Sequence, residues 1–286
     1  ADAATTIDAS ASTGGVSYTT AGAAGVMTLT GGSGDDSFTF SADNFTAADT
    51  VDGGAGSDTL TIAAAGAETQ ALLAKVTNVE TLALTGVTDL TLAKDVSATT
   101  FKTAGTGIQQ VILDTGYTNA TTVVLGGTAA AGGGADVVTN TAAVDLTING
   151  SGDAFLDAGA ITGGKNTDTI NMTADGANAF ALSASGVVTL VDQINVLDNG
   201  DAASGTDVSG KDASITTGAY ATALTIDGSA LDAASADNDG DGDIDNADSS
   251  AEILTVDGTG ATAVLTITGG GAGDSLCASG QATGSH

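Results

Sequence analysis

Apolar residues alternate with small polar ones in short runs along most of the chain, and the runs end repeatedly in glycine or aspartate. VMTLT at 26–30, SFTF at 37–40, NVETLALTG at 78–86, DLTLA at 89–93, QVILDTG at 110–116, TTVVLGG at 121–127 and VDLTING at 144–150 all read this way. A period of two is the signature of a strand with one face buried. The runs recur every 10 to 20 residues or so, which is the rhythm of stacked β coils or of a sandwich. The best helical segment is GAETQALLAK at 66–75, enough for one or two turns. The second half echoes the first. DQINVLDNG at 192–200 lays over TNVETLALT at 77–85, with Ile194 over Val79 and Leu197 over Leu82, and VLTITGG at 264–270 repeats VMTLTGG at 26–32. Loose internal similarity of this kind is what a solenoid produces when each coil buries its face on the next. Proline is absent and aromatics make up 3%, so the core has to be narrow and filled by Val, Leu, Ile and Ala. The pattern predicts an all-β fold, an irregular parallel β-solenoid or β-roll, with a β-sandwich as the alternative. It predicts a single elongated domain over 1–286, subdivisible as 1–150 and 151–286, with a loop insertion at 235–250.

The turns carry the chemistry. GGSGDDSFT at 31–39 and GGAGSDTLT at 53–61 both fit G-G-x-G-x-D-x-U-x, the calcium-binding nonapeptide of RTX proteins. Glycines at 31, 32 and 34, and at 54 and 56, allow left-handed backbone and bring carbonyl oxygens close to a cation. Asp36 and Asp58 add carboxylates, and Phe38 or Leu60 then starts a strand. Weaker copies follow: AGGGADVVT at 131–139 keeps Asp136, GGKNTDTIN at 163–171 keeps Asp168 with Asn166 in the third glycine's place, and GGGAGDSLC at 269–277 keeps Asp274. Candidate ligands are therefore Gly32, Gly34, Asp36, Gly54, Gly56, Asp58, Asp136, Asn166, Asp168 and Asp274.

A second motif, DNDGDGDIDNAD at 237–248, has the ligand order of an EF-hand loop. Asp237, Asp239 and Asp241 would give side-chain oxygens, Asp243 a backbone carbonyl, Asp245 a direct or water-bridged contact and Asp248 the closing carboxylate. The flanking runs ALTID and EILTVDG read as strands, so the loop is expected between strands and not between helices.

With its two full nonapeptides, the segment VTNVETLAL at 76–84 and phrases such as TIDGSALD at 225–232, the chain resembles the RTX-type surface-layer proteins of Gram-negative bacteria, the Caulobacter surface-layer family among them. The resemblance implies a secreted, calcium-dependent lattice or filament subunit, exported by a type I system to the bacterial cell surface. Charge points the same way: 35 acids, all but three of them Asp, face 5 Lys and no Arg, for a net charge of −30. Such a surface repels nucleic acid and needs cations as counter-charge. The single cysteine, Cys277, permits no internal disulfide, and no apolar stretch is long enough to span a membrane. The only histidine is His286, so no base is available for a Ser-His-Asp or Cys-His mechanism, and Arg and Trp are absent as sugar-binding groups. The expected protein is a non-enzymatic, calcium-dependent, self-assembling extracellular subunit whose main partner is itself, with cell-surface polysaccharide as a second partner class. The alternatives are an adhesive or glycan- or ice-binding module, and the export region of a larger secreted enzyme. Threonines such as Thr59 and Thr61 hint at hydroxyl rows, but their spacing in sequence is not constant, which counts against ice binding.

Overall fold

The computed structural model describes residues 4–20, 25–41, 44–63, 66–86, 88–104, 109–126, 136–151, 154–155, 158–174, 179–181, 188–197, 213–231, 254–270, 274–278 and 282–285. The chain forms two compact units, Ala1–Leu146 and Thr147–His286. Each is a parallel β-solenoid with almost no helix, so the sandwich alternative gives way to the solenoid.

In the first unit the strands are β1 (Thr5–Asp8), β2 (Ser17–Thr19), β3 (Met27–Thr30), β4 (Ser37–Phe40), β5 (Thr50–Asp52), β6 (Thr59–Ile62), β7 (Gly66–Thr69), β8 (Val76–Thr77), β9 (Thr81–Leu84), β10 (Thr88–Leu92), β11 (Thr100–Lys102), β12 (Gln110–Leu113), β13 (Thr121–Val124) and β14 (Val137–Asn140). One sheet stacks β2, β4, β6, β9, β11 and β13; opposite it run β1-β3-β5-β8 and then β7-β10-β12-β14. Each coil thus gives one strand to either side, and the two full nonapeptides sit on successive coils. Register is one residue on its equivalent: Phe38 on Leu60, Leu60 on Leu82, Leu82 on Phe101 and Phe101 on Val123. These five are at most 1% exposed, and burying a side chain of this kind stabilises by about 1.5–3 kcal/mol. The facing column is Ile7, Leu29, Val51 and Val76.

The second unit holds β15 (Leu146–Ser151), β16 (Ala160–Thr162), β17 (Asp168–Thr173), β18 (Ala179–Ala181), β19 (Val188–Thr189), β20 (Gln193–Leu197), β21 (Ala213–Thr216), β22 (Leu224–Asp227), β23 (Leu254–Gly258), β24 (Leu265–Thr268), β25 (Ser275–Ala278) and β26 (Ala282–Ser285). One side stacks β15-β17-β20-β22-β24-β26; on the other, β16 pairs with β19 and β18 begins the series β18-β21-β23-β25. Ile170, Ile194, Ile226 and Ile267 form its central column.

Two details correct the expectations. Residues 66–75 are not one helix: Gly66–Thr69 is strand β7, paired with β10, and only Gln70–Lys75 coils, as a 3-10 turn that buries Leu73. Ladder bonding to the neighbouring coil outweighs the helical propensity of so short a segment. The internal repeat is real but shifted by three residues. Val191 matches Val79 and Ile194 matches Leu82, all buried, while Leu197 is 36% exposed because it falls on the outward phase of β20. Asn78 and Leu190 occupy the same place, one residue after β8 and β19, and both have positive φ, 53° and 58°.

Candidate metal-binding turns

In the first unit both full nonapeptides lie where the chain turns from the β3/β5 side into β4 and β6, one stacked on the other. Their Asp reaches back over its own turn. The Gly32 amide donates to Asp36 Oδ2 at 2.7 Å, and the Gly164 amide donates to Asp168 Oδ2 in the degenerate copy. The carboxylate therefore lies directly over the first glycine. A β-carbon on Gly31 would come within 2.2 Å of Asp36 Oδ2 and 2.0 Å of the Gly53 carbonyl oxygen. Gly53, Gly163 and Gly269 have the same crowding from Asp58, Asp168 and Asp274.

The expected left-handed backbone holds only at Gly54 and Gly56, whose φ values are 98° and 127°. Gly32, Gly34 and Asn166 are not left-handed. Gly32 and Gly34 are required by close approach instead: a β-carbon would meet the Ser12 carbonyl oxygen at 2.3 Å and the Gly14 carbonyl carbon at 2.7 Å. Asn166 is tolerated because its backbone makes no demand that only glycine meets.

The other carboxylate oxygen spans the coils. Val16 N–H donates to Asp36 Oδ1 (2.6 Å), Asp36 N–H to Asp58 Oδ1 (2.7 Å) and Asp58 N–H to Glu80 Oε2 (2.8 Å), a ladder of acids that caps successive strand entries. The same device recurs as Met27 N–H to Asp49, Gln109 N–H to Asp136, Asp168 N–H to Asp192 and Leu254 N–H to Asp274. Ser97 and Tyr220 stand in for the acid at Val79 and Val191. Glu80, Asp49 and Asp192 were not singled out by the nonapeptide pattern, but they share a simpler signal with Asp36 and Asp58, an acid two residues before an inward apolar residue.

Asp58 is the odd member. It is fully buried, and its Oδ2 has no hydrogen-bond partner among the described residues. Desolvation pushes its carboxyl above the usual carboxylate range; the Asp36 amide opposes this, while the charges of Asp36, Glu80 and Asp35 add to it. Every charge acting on it is negative. Asp58 Oδ2 and the Asn78 carbonyl oxygen both crowd the place a β-carbon of Gly53 would occupy, at 2.5 and 1.8 Å, so only glycine fits beneath them. A donor set of carboxylate and carbonyl oxygens, with no sulfur or imidazole, suits a hard cation such as calcium. Asp58 Oδ2 has the chemistry to serve as one ligand of such an ion, and the bound ion would supply the missing positive charge.

The candidate residues do not form one centre. In the first unit Asp36 and Asp58 share an edge while Asp136 opens β14 on the other; in the second, Asp168 opens β17 and Asp274 opens β25. No group of three or more His, Cys, Asp or Glu side chains converges among the described residues. Asp237, Asp239, Asp241, Asp243, Asp245 and Asp248, the EF-hand-like loop, lie outside the described residues. No helix among the described residues is long and apolar enough to cross a membrane. Comparison with protein-family models, with curated proteins and with solved structures finds no match to this chain.

Proposed function

We propose that the protein is a calcium-dependent, self-assembling structural subunit of an extracellular layer or filament, with no catalytic role. The observation that carries this reading is the ladder of turn acids on successive coils, Asp36, Asp58 and Glu80, in which Asp58 is buried among negative charges. Free edges of parallel, in-register strands are templates for another strand. A second copy that paired strand edge to strand edge would extend such a sheet, and a contact between two different surfaces repeats as an open chain. Calcium enters as the counter-charge of the acid ladder and of a net charge of −30.

The test is light scattering and negative-stain imaging of the full chain as calcium is raised. Wild type forms filaments or sheets as calcium rises, and EDTA disperses them. A wild-type chain that folds yet remains monomeric at saturating calcium and high concentration overturns the proposal.

A further inference from the structure

Register reveals an order in the outward face of the first unit's continuous sheet that sequence spacing conceals. Ser17, Ser37, Thr59 and Thr81 stack directly on one another across β2, β4, β6 and β9. Two residues along, Thr19, Thr39 and Thr61 stack in the same way, followed by Ala83. Strands in a ladder stand about 4.8 Å apart and alternate residues about 6.6 Å apart, so seven of the eight grid points carry a hydroxyl on a two-dimensional lattice. The sequence steps along the first row, 20 residues (37 − 17) and then 22 twice (59 − 37 and 81 − 59), are absorbed by the connecting segments and do not disturb the grid.

Threonine is common on solvated strands, and that alone would make the pattern ordinary. Two further observations set this face apart. A chain with 35 acids places none at these eight positions, whereas the outward face of β1, β3 and β5 carries Asp8 and Asp52. None of the seven hydroxyls bonds to a protein group among the described residues, although hydroxyls elsewhere do: Thr85 and Thr141 donate to backbone carbonyls and Thr103 accepts from the Gly126 amide. The seven are left to water, at fixed points, over the buried side chains of Phe38, Leu60 and Leu82.

We propose that this face binds ice. Its two repeats lie close to those of the hexagonal ice lattice, so water held by one hydroxyl is placed to bond to water held by the next. The threonine methyls fill the space between, and the absence of charge at these eight positions, beyond which the second row continues onto Lys102, spares the layer from being reoriented around an ion. Ordered water bridging a surface to its ligand costs little more than a direct hydrogen bond.

The experiment uses the full chain in calcium and measures the fraction incorporated into slowly growing ice. Wild type should be enriched in the ice, and Thr39→Lys with Thr61→Lys should lower the bound fraction about tenfold. The control pair Thr28→Lys with Thr50→Lys, on the outward face of β3 and β5, should leave it unchanged. Circular dichroism checks each fold, and the single variant Thr61→Tyr replaces the pair if that misfolds. Exclusion of wild type from ice overturns the proposal, as does an equal loss in the control pair. Wild type excluded from ice but retained on cellulose or chitin, with loss in the same variants, would make the face a polysaccharide site. Failure of the Thr39 and Thr61 variants to assemble would make it a subunit contact; either result overturns ice binding.

Discussion

Replacing Asp58 in two different ways separates its two roles, because the side chain has one satisfied oxygen and one orphan. Asp58→Ala removes the acceptor of the buried Asp36 amide, and a buried donor left without a partner costs about 1–3 kcal/mol. Asp58→Asn keeps that acceptor and removes the charge. In the metal-free protein at neutral pH the charge is a burden, since burial and the neighbouring Asp36, Glu80 and Asp35 raise the folded pKa above its ordinary value of 3.8. The sign follows: folding takes up a proton at Asp58, so its contribution is fully present below pH 3.8 and is lost as pH rises through the higher folded value. In EDTA at pH 7, Asp58→Asn should therefore melt at or above wild type, and Asp58→Ala below Asp58→Asn by that 1–3 kcal/mol. At about 2–4 °C per kcal/mol for a chain of this size, the gap is readable by circular dichroism or calorimetry. Excess calcium should invert the first comparison, with Asp58→Asn falling below wild type because the ion loses its carboxylate. Equal melting of the two variants, or the same order with and without calcium, would refute the reasoning.

Three further outcomes follow from the geometry. Chelation should lower the melting temperature, and Asp36→Ala with Asp58→Ala should cost more than Asp89→Ala with Asp114→Ala, which lie outside any motif; thermal melts in calcium decide it. Leu190 is a half-exposed leucine in left-handed backbone where Asn78 stands in the equivalent turn, so Leu190→Asn should stabilise by about 1 kcal/mol in urea unfolding. Tyr220 Oη accepts from the Val191 amide and donates to its carbonyl oxygen, both at 2.7 Å, so Tyr220→Phe should cost about 1–3 kcal/mol. Burial holds the phenols of Tyr220 and Tyr117 above their ordinary 10.0, so their contribution persists below pH 10 and is lost as pH rises through the higher folded values, which ultraviolet titration follows.

The strands and their inward residues were legible because alternation is a local property: Phe38, Leu60, Leu82 and Ile267 are inward where the pattern puts them. The turn acids were legible too, through the glycines that precede them. Their bonding was not, because the Asp36 amide meets a carboxylate 22 residues away, and nothing local says which coil will lie alongside. Glu80 and Asp192 escaped the nonapeptide pattern for the complementary reason, since they do the same capping without the glycine turn. The three-residue error in the repeat arose from aligning Ile194 and Leu197 on hydrophobicity alone, although in a strand two apolar residues three apart face opposite ways. The hydroxyl grid was hidden because its register is set by strand pairing across coils and not by the loops that connect them.

Those loops also show how such a chain can grow. Ser214 pairs with Thr255 as squarely as Ser37 pairs with Thr59, although the chain between the first pair is nearly twice as long. Strand pairing acts as a ruler that ignores whatever lies between its marks, so sequence can be added there without loss of phase along the ladder. The intervals between β20 and β21 and between β22 and β23 are long ones on that ruler. A foreign peptide inserted between β22 and β23 would leave the register of β21 on β23 unchanged.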